Sequence, residues 1–188
     1  MINVIDNFLS VSYQNLLEKE LMSEGFALYM AHKGTVDIQS YCAFPNETMV
    51  ETPQLTHTFL DAGLLNPTWG IVSPIAFKFV EQLDEDYIAV KAKMNINFPN
   101  HKFGIDNHYC PHVDFNDNNC ITAIYYVNDS DGDTFFFNKN GDTLEVTERI
   151  SPKKGSLVYF DSTTVHAGSA PKNNDLRCVI NFNFKKVT

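Results

Sequence analysis

A histidine and an aspartate two residues apart, His112-Val113-Asp114, stand just ahead of a run of β-formers. A second histidine, His166, and an arginine, Arg177, follow far downstream. Two imidazoles and one carboxylate can occupy one face of an octahedral ion and leave the opposite positions open, the arrangement in which non-haem iron meets dioxygen. An i, i+2 pair in extended chain points both side chains the same way, so His112 and Asp114 can reach one ion together. The chemistry implied is oxidation at a non-haem Fe(II), with His112, Asp114 and His166 as the metal ligands. The pattern HxD alone carries little weight. It recurs by chance, and a strand-end His and Asp often bond only to nearby backbone.

The elements around these residues raise its value. Cys120 to Asn128 (Cys-Ile-Thr-Ala-Ile-Tyr-Tyr-Val-Asn) is a strongly β run, and Thr122, Ile124 and Tyr126 share one of its faces. His166 sits in Thr-Val-His-Ala-Gly, after the turn and strand Ser-Pro-Lys-Lys-Gly-Ser-Leu-Val-Tyr-Phe. Arg177 opens the last strand. There Cys178, Ile180, Phe182 and Phe184 form an apolar face, which leaves Arg177, Val179 and Asn181 on the other. A lone arginine directed away from the packing face needs an anionic partner, because a buried unpaired guanidinium is costly. A dicarboxylate cosubstrate supplies one in bidentate fashion.

Upstream, Val4 to Phe8 reads as a short strand and Ser10 as the N-cap of a helix over Val11 to Ser23. The stretch His32 to Asn66 is mixed and turn-rich, with a helix expected near Thr58 to Leu64. Ser73-Pro74 marks a second helix start leading into Ile75 to Asp84. From Tyr87 the periodicity becomes extended, with strands expected over Ile88 to Phe98, Ile121 to Asn128, Thr134 to Asn138, Ser156 to Phe160 and Cys178 to Phe184. Helices first and many strands afterwards predict a β-dominated α+β layout, the helices covering one sheet of a sandwich or barrel.

Composition narrows the function classes. At 188 residues the chain fits one domain with an ample core. Its net charge of −9, with basic pairs only at Lys153-Lys154 and Lys185-Lys186, argues against a sequence-independent grip on nucleic acid or an anionic membrane. No apolar stretch approaches the ~20 residues of a membrane span, and Met1 to Gln14 lacks the form of a secretory signal. Cys42, Cys110, Cys120 and Cys178 show no CxxC spacing, so they are expected to be reduced and the protein cytoplasmic.

From His112 to Phe184 the order of features resembles the catalytic core of the 2-oxoglutarate and Fe(II)-dependent dioxygenases, in the prolyl 4-hydroxylase-like branch. The shared features are HxD, a strand ending Tyr-Tyr-Val-Asn, a G-x-T-x-F hairpin at Gly132 to Phe136, a P-x-x-G-x-x-x-x-F strand at Pro152 to Phe160, a histidine and a strand-borne arginine. Weaker likeness reaches the Val4 to Leu9 opening. The resemblance implies a double-stranded β-helix, a jelly-roll or cupin-like barrel with N-terminal helices packed on one sheet. Residues 1–188 would form a single oxygenase domain, with 1–86 as helical support and substrate-side elements and 87–188 as the catalytic β core.

The resemblance also makes His112, Asp114 and His166 the iron ligands. It gives Arg177 and Tyr126 the distal carboxylate of 2-oxoglutarate, with ascorbate as reductant, and no side chain is needed as a general base. It implies hydroxylation of a C–H bond with release of succinate and CO2, on a peptidyl proline or on a small molecule or free amino acid. There are departures. Phe98 stands where many relatives carry a strand tyrosine, Pro99 to Pro111 is long, and Gly132-Asp133 replaces the usual Gly-Gly. Tyr109 is either a cleft-lining residue or core. His32, His57, His101 and His108 lack a partner carboxylate two residues downstream and read as surface or turn residues, with support of the metal ligands from behind or contact with substrate as the alternatives for His108. The competing classes are a cupin-like metal dioxygenase without 2-oxoglutarate, which leaves Arg177 without a purpose, and a non-catalytic module, which loss of a ligand would signal.

Overall fold

A computed structural model describes residues 1–31, 52–100, 104–141 and 143–187. In chain order the elements are β1 (Asn3–Ile5), α1 (Val11–Leu21), β2 (Tyr29–Ala31), β3 (Gln54–Asp61), β4 (Leu64–Leu65), α2 (Trp69–Val80), β5 (Tyr87–Asn97), β6 (Cys120–Tyr126), β7 (Thr134–Asn140), β8 (Thr143–Ile150), β9 (Leu157–Asp161), β10 (His166–Gly168) and β11 (Arg177–Lys186). The larger sheet runs β1-β9-β6-β11-β5-β3-β2, with β4 hairpinned onto β3, and the smaller runs β10-β7-β8. Every pairing is antiparallel. The two sheets enclose a double-stranded β-helix, as expected.

Strand periodicity explains why the larger sheet has two different faces. Ala92, Met94 and Ile96 of β5, Ala123 and Tyr125 of β6, Leu157 of β9, and Ile180, Phe182 and Phe184 of β11 join one buried cluster with Leu17, Leu21, Val72, Ile75 and Phe79 of the helices. The edge of Phe79 meets Tyr159, and its ring lies 4.9 Å from Phe184. Burying each such side chain contributes roughly 1.5–3 kcal/mol. The alternate residues Ile124, Tyr126, Val158, Phe160 and Val179 point the other way and meet Phe136 of the smaller sheet, forming the barrel interior.

The first 86 residues are less helical than expected. The segment 58–64 is a hairpin, β3 to β4, because Thr56, Thr58 and Leu60 pair along β5 and Ala62-Gly63 turns at positive φ. Helix α2 begins a turn before Ser73-Pro74. Asn66 Oδ1 accepts from the Thr68 backbone N–H at 3.0 Å, and Pro74 sits inside the helix, leaving the Gly70 carbonyl without its donor. Strands β2, β8 and β10 were not expected.

Two expectations about single residues are corrected. His57 is buried rather than superficial. Its Nδ1 lies 2.7 Å from the Ala27 carbonyl and its Nε2 2.8 Å from Thr68 Oγ1, so a buried imidazole is satisfied on both sides. Cys110 is disulfide-bonded, its partner outside the described residues, while Cys120 and Cys178 are buried free thiols. His32 and His101 also lie outside the described residues. No helix among the described residues is long and apolar enough to cross a membrane.

Candidate metal centre

His112, Asp114 and His166 converge. Their ligating atoms all lie within 4.8 Å of one another, and among the described residues no other cluster of three or more His, Cys, Asp or Glu side chains is so placed. Backbone pairing brings the two histidines together: His112 N donates to His166 O and His166 N to His112 O, each at 2.9 Å. This antiparallel bridge sets the rings 4.6 Å apart. Each Nδ1 lies 3.0 Å from a backbone carbonyl, Cys110 for His112 and Thr164 for His166, so each Nδ1 carries the hydrogen and each Nε2 keeps its lone pair. The two Nε2 atoms face the carboxylate, at 3.7 Å from Asp114 Oδ1 for His112 and 4.0 Å from Oδ2 for His166.

The carboxylate is fixed by residues that no motif marks. Asp114 Oδ2 accepts from Thr122 Oγ1 at 2.8 Å, Asn183 Nδ2 at 2.9 Å and Asn181 Nδ2 at 3.1 Å. Oδ1 takes none of these bonds and stays free to ligate. Burial alone would raise the Asp114 pKa, but the two imidazoles and the Asn183 and Asn181 amides hold it well below the ordinary carboxylate range. Burial likewise pushes His166 down to about 4, outweighing the pull of Asp114. At neutral pH Asp114 is therefore a carboxylate and His166 keeps its lone pair, and two imidazoles with one carboxylate are the donor chemistry of an Fe(II) site. His112, the most exposed of the three, marks the open side.

Below the centre lies a cavity of about 80 Å³, room for a few waters or a small ligand. Gln54, Asn95, Asn97, Tyr109, Thr134 and Arg177 are among its walls. The barrel-side face of β11, Arg177, Val179 and Asn181, lines this cavity as its parity predicts. Arg177 is buried. Its Nε donates to Gly132 O at 2.7 Å and one terminal nitrogen to Thr134 Oγ1 at 2.9 Å, and among the described residues it has no carboxylate partner. The Tyr126 hydroxyl lies 2.8 Å from the same Thr134 oxygen, so Thr134 links the two residues expected to act together. Gly132 has to be glycine. A Cβ there would stand 2.7 Å from Ser169 O and 2.9 Å from Arg177 Cδ.

Other residues near the cavity settle differently from expectation. Tyr109 is a cleft residue, its hydroxyl accepting from Thr52 Oγ1 at 2.9 Å. His108 is buried, not superficial: its ring packs against Phe135 and Phe137 and its Nδ1 meets the Tyr109 carbonyl at 2.7 Å. Phe98 is about half exposed and outside the cavity, and the β5 residue opposite Arg177 is Asn97. Thr134, Asn181 and Asn183 were missed as site residues. Strand parity places Asn181 and Asn183 on the barrel-side face of β11, whereas Thr134 turns inward through the pairing of β7 with β10.

Known proteins share this fold. The family model described as the 2OG-Fe(II) oxygenase superfamily matches residues 98–185, a span that holds all three clustered residues and Arg177. No curated protein matches the sequence. Among solved structures, a Pseudomonas putida prolyl-4-hydroxylase is 17% identical with a TM-score of 0.55, the match covering 99% of this chain and 92% of that one. A viral collagen prolyl hydroxylase from Paramecium bursaria Chlorella virus-1 is 16% identical with a TM-score of 0.54, covering 100% and 90%. A non-heme alpha-ketoglutarate-dependent epimerase from nogalamycin biosynthesis is 11% identical with a TM-score of 0.61, covering 97% and 76%.

Proposed function

We propose that the chain is a member of the 2OG-Fe(II) oxygenase superfamily, whose model matches residues 98–185, and that it hydroxylates a C–H bond with 2-oxoglutarate as cosubstrate. His112, Asp114 and His166 would hold the iron, and Arg177 with Tyr126 would receive the distal carboxylate. Bound together, Fe(II) and 2-oxoglutarate supply oxidation by dioxygen, with succinate and CO2 released. The observation that carries the reading is a buried arginine, without a carboxylate partner among the described residues, on the wall of the cavity that the metal-binding atoms face. An unpaired guanidinium in such a place is stable only when an anion completes it.

The protein's own groups divide the work. Gly132 O and Thr134 Oγ1 grip one edge of the Arg177 guanidinium, so the rest is presented to a ligand in a fixed orientation. Thr134 holds the Tyr126 hydroxyl in register with it. The three donors on Asp114 Oδ2 keep the carboxylate from rotating, and the two backbone-bonded Nδ1 atoms keep each imidazole in one tautomer. Phe136 and Phe160 pack beside His166 and exclude water from the buried side. Ascorbate would serve as the reductant that keeps iron divalent. A 2-oxoglutarate-independent cupin-like dioxygenase would leave Arg177 without an anion.

A peptidyl proline is the first substrate to test, since two of the similar structures are prolyl hydroxylases. A small molecule is the second, since the third is an epimerase from nogalamycin biosynthesis. The cosubstrate test needs no substrate. Mn(II)-loaded protein titrated with 2-oxoglutarate binds it saturably, and the Fe(II) enzyme with ascorbate forms succinate slowly even uncoupled. Absence of both results would overturn the reading.

A further inference from the structure

Strand β5 sends Ala92, Met94 and Ile96 into the helix-side core, so Lys91, Lys93, Asn95 and Asn97 take its barrel-side face. Asn95 and Asn97 line the cavity. Lys93 follows them on that face and stands opposite Asn181 of β11, while Lys91 stands opposite Asn183. Those two asparagines are the ones that bond Asp114 Oδ2. Lys93 is half-buried and close enough to feel the Asp114 charge, yet among the described residues its ammonium has no hydrogen bond or ion pair. Among the described residues the amide oxygens of Asn95 and Asn181, both of which line the cavity, are likewise buried without a partner.

A lysine stem can lie along a sheet and put its head in water. Two features set Lys93 apart from that ordinary case. The chain has few cations, 14 against 23 acidic residues, yet two of them sit side by side on the inner face next to the metal-binding set. The only carboxylate of that set, Asp114, is the group an ion would claim; once it is neutralised there, the remaining acid that acts on Lys93 is Asp61, which is exposed and stands opposite Lys91 on β3. Deepening the oxygenase reading, on which it rests, we propose that Lys93, with Lys91 beside it, anchors an anionic group of the substrate. The substrate is then a carboxylate-bearing molecule whose acid group lies within a lysine's reach of the oxidised carbon.

The test uses protein loaded with Mn(II) and 2-oxoglutarate, in which paramagnetic relaxation of ligand protons reports binding near the ion without turnover. The probes are matched pairs: N-acetylated amino acids against their C-terminal amides, and glutamate-containing prolyl hexapeptides against the same peptides with glutamine. We expect acids to bind about tenfold more tightly than their neutral partners. Lys93→Ala erases that preference, Lys93→Arg retains it, and 2-oxoglutarate affinity is unchanged in both. Preference among the small acids identifies a free acid as the source, and preference among the peptides an acidic polypeptide. Equal binding of acids and amides, no acid binding by either panel, or a preference that survives Lys93→Ala overturns the assignment. If 2-oxoglutarate itself fails to bind the Mn(II) protein, the oxygenase reading has failed first and takes this one with it.

Discussion

Replacing Asn183 by alanine removes two hydrogen bonds at once, to Asp114 Oδ2 at 2.9 Å and to Thr122 Oγ1 at 3.0 Å. The first is made to a charged acceptor in a buried site, where such bonds contribute about 1.5–3 kcal/mol. Asp114 Oδ2 would keep Thr122 at 2.8 Å and Asn181 at 3.1 Å, so it is not stranded and the cost falls toward the lower end of that range. With about 1.4 kcal/mol per factor of ten, the ion should bind roughly ten- to thirty-fold more weakly. That lies within the 10–100-fold span found for groups that orient metal ligands. The assay is calorimetric titration of metal-free protein with Mn(II) at fixed pH, with thermal unfolding as a control for fold. Asn183→Asp, which sets a second negative charge against Asp114, should disturb the pair further. A Kd for Asn183→Ala within twofold of wild type would refute the idea that this network positions the carboxylate.

Arg177→Lys keeps the charge but cannot hold Gly132 O and Thr134 Oγ1 together while offering a fork to a ligand, so the 2-oxoglutarate concentration for half-maximal succinate formation should rise roughly tenfold or more with metal affinity unchanged. Gly132→Ala drives a methyl against Arg177 Cδ and the Ser169 carbonyl; it should raise the same requirement and also lower the melting temperature, and an unperturbed variant would mean the loop yields freely. Burial lowers the pKa of His108 and takes His166 to about 4, whereas the unfolded chain protonates near ~6.5. Below that value the unfolded state holds more protons, so metal-free protein should lose stability as pH falls from ~6.5 toward 4, by at most about 1.4 kcal/mol per pH unit per histidine. Urea titrations at pH 7, 6 and 5 read this directly, and stability that rises on acidification contradicts it.

The parts of the site that chemistry constrains most were the parts legible in the residues. HxD in extended chain, a distant histidine and the parity of the final strand point to His112, Asp114, His166 and Arg177, of which the three ligand candidates cluster and the two histidines share one cavity with Arg177. Thr122 and Asn181 were already on the right faces, but an amide or hydroxyl has no motif, so their roles emerged only once β11 paired with β6 and set them beside Asp114. Thr134 belongs to a hairpin strand whose inward residue depends on the β10 pairing. The misread histidines share one cause. Whether His57 or His108 is buried depends on what lies across from it, Phe26 and Phe59 in one case and Phe135 and Phe137 in the other, and sequence distance hides those neighbours. The 58–64 hairpin was read as a helix because its Leu and Phe spacing fits either period over so short a run.

The reciprocal backbone bonds between His112 and His166 separate two duties that the same positions perform. The strands are clasped by main-chain atoms, which every residue except proline can supply, whereas the imidazoles alone attend to the ion. A barrel built this way stays whole when it is disarmed. Exchanging either ring for almost any other side chain leaves the clasp and the walls in place, so a descendant with no chemistry left would inherit an intact pocket ready to serve as a receptor.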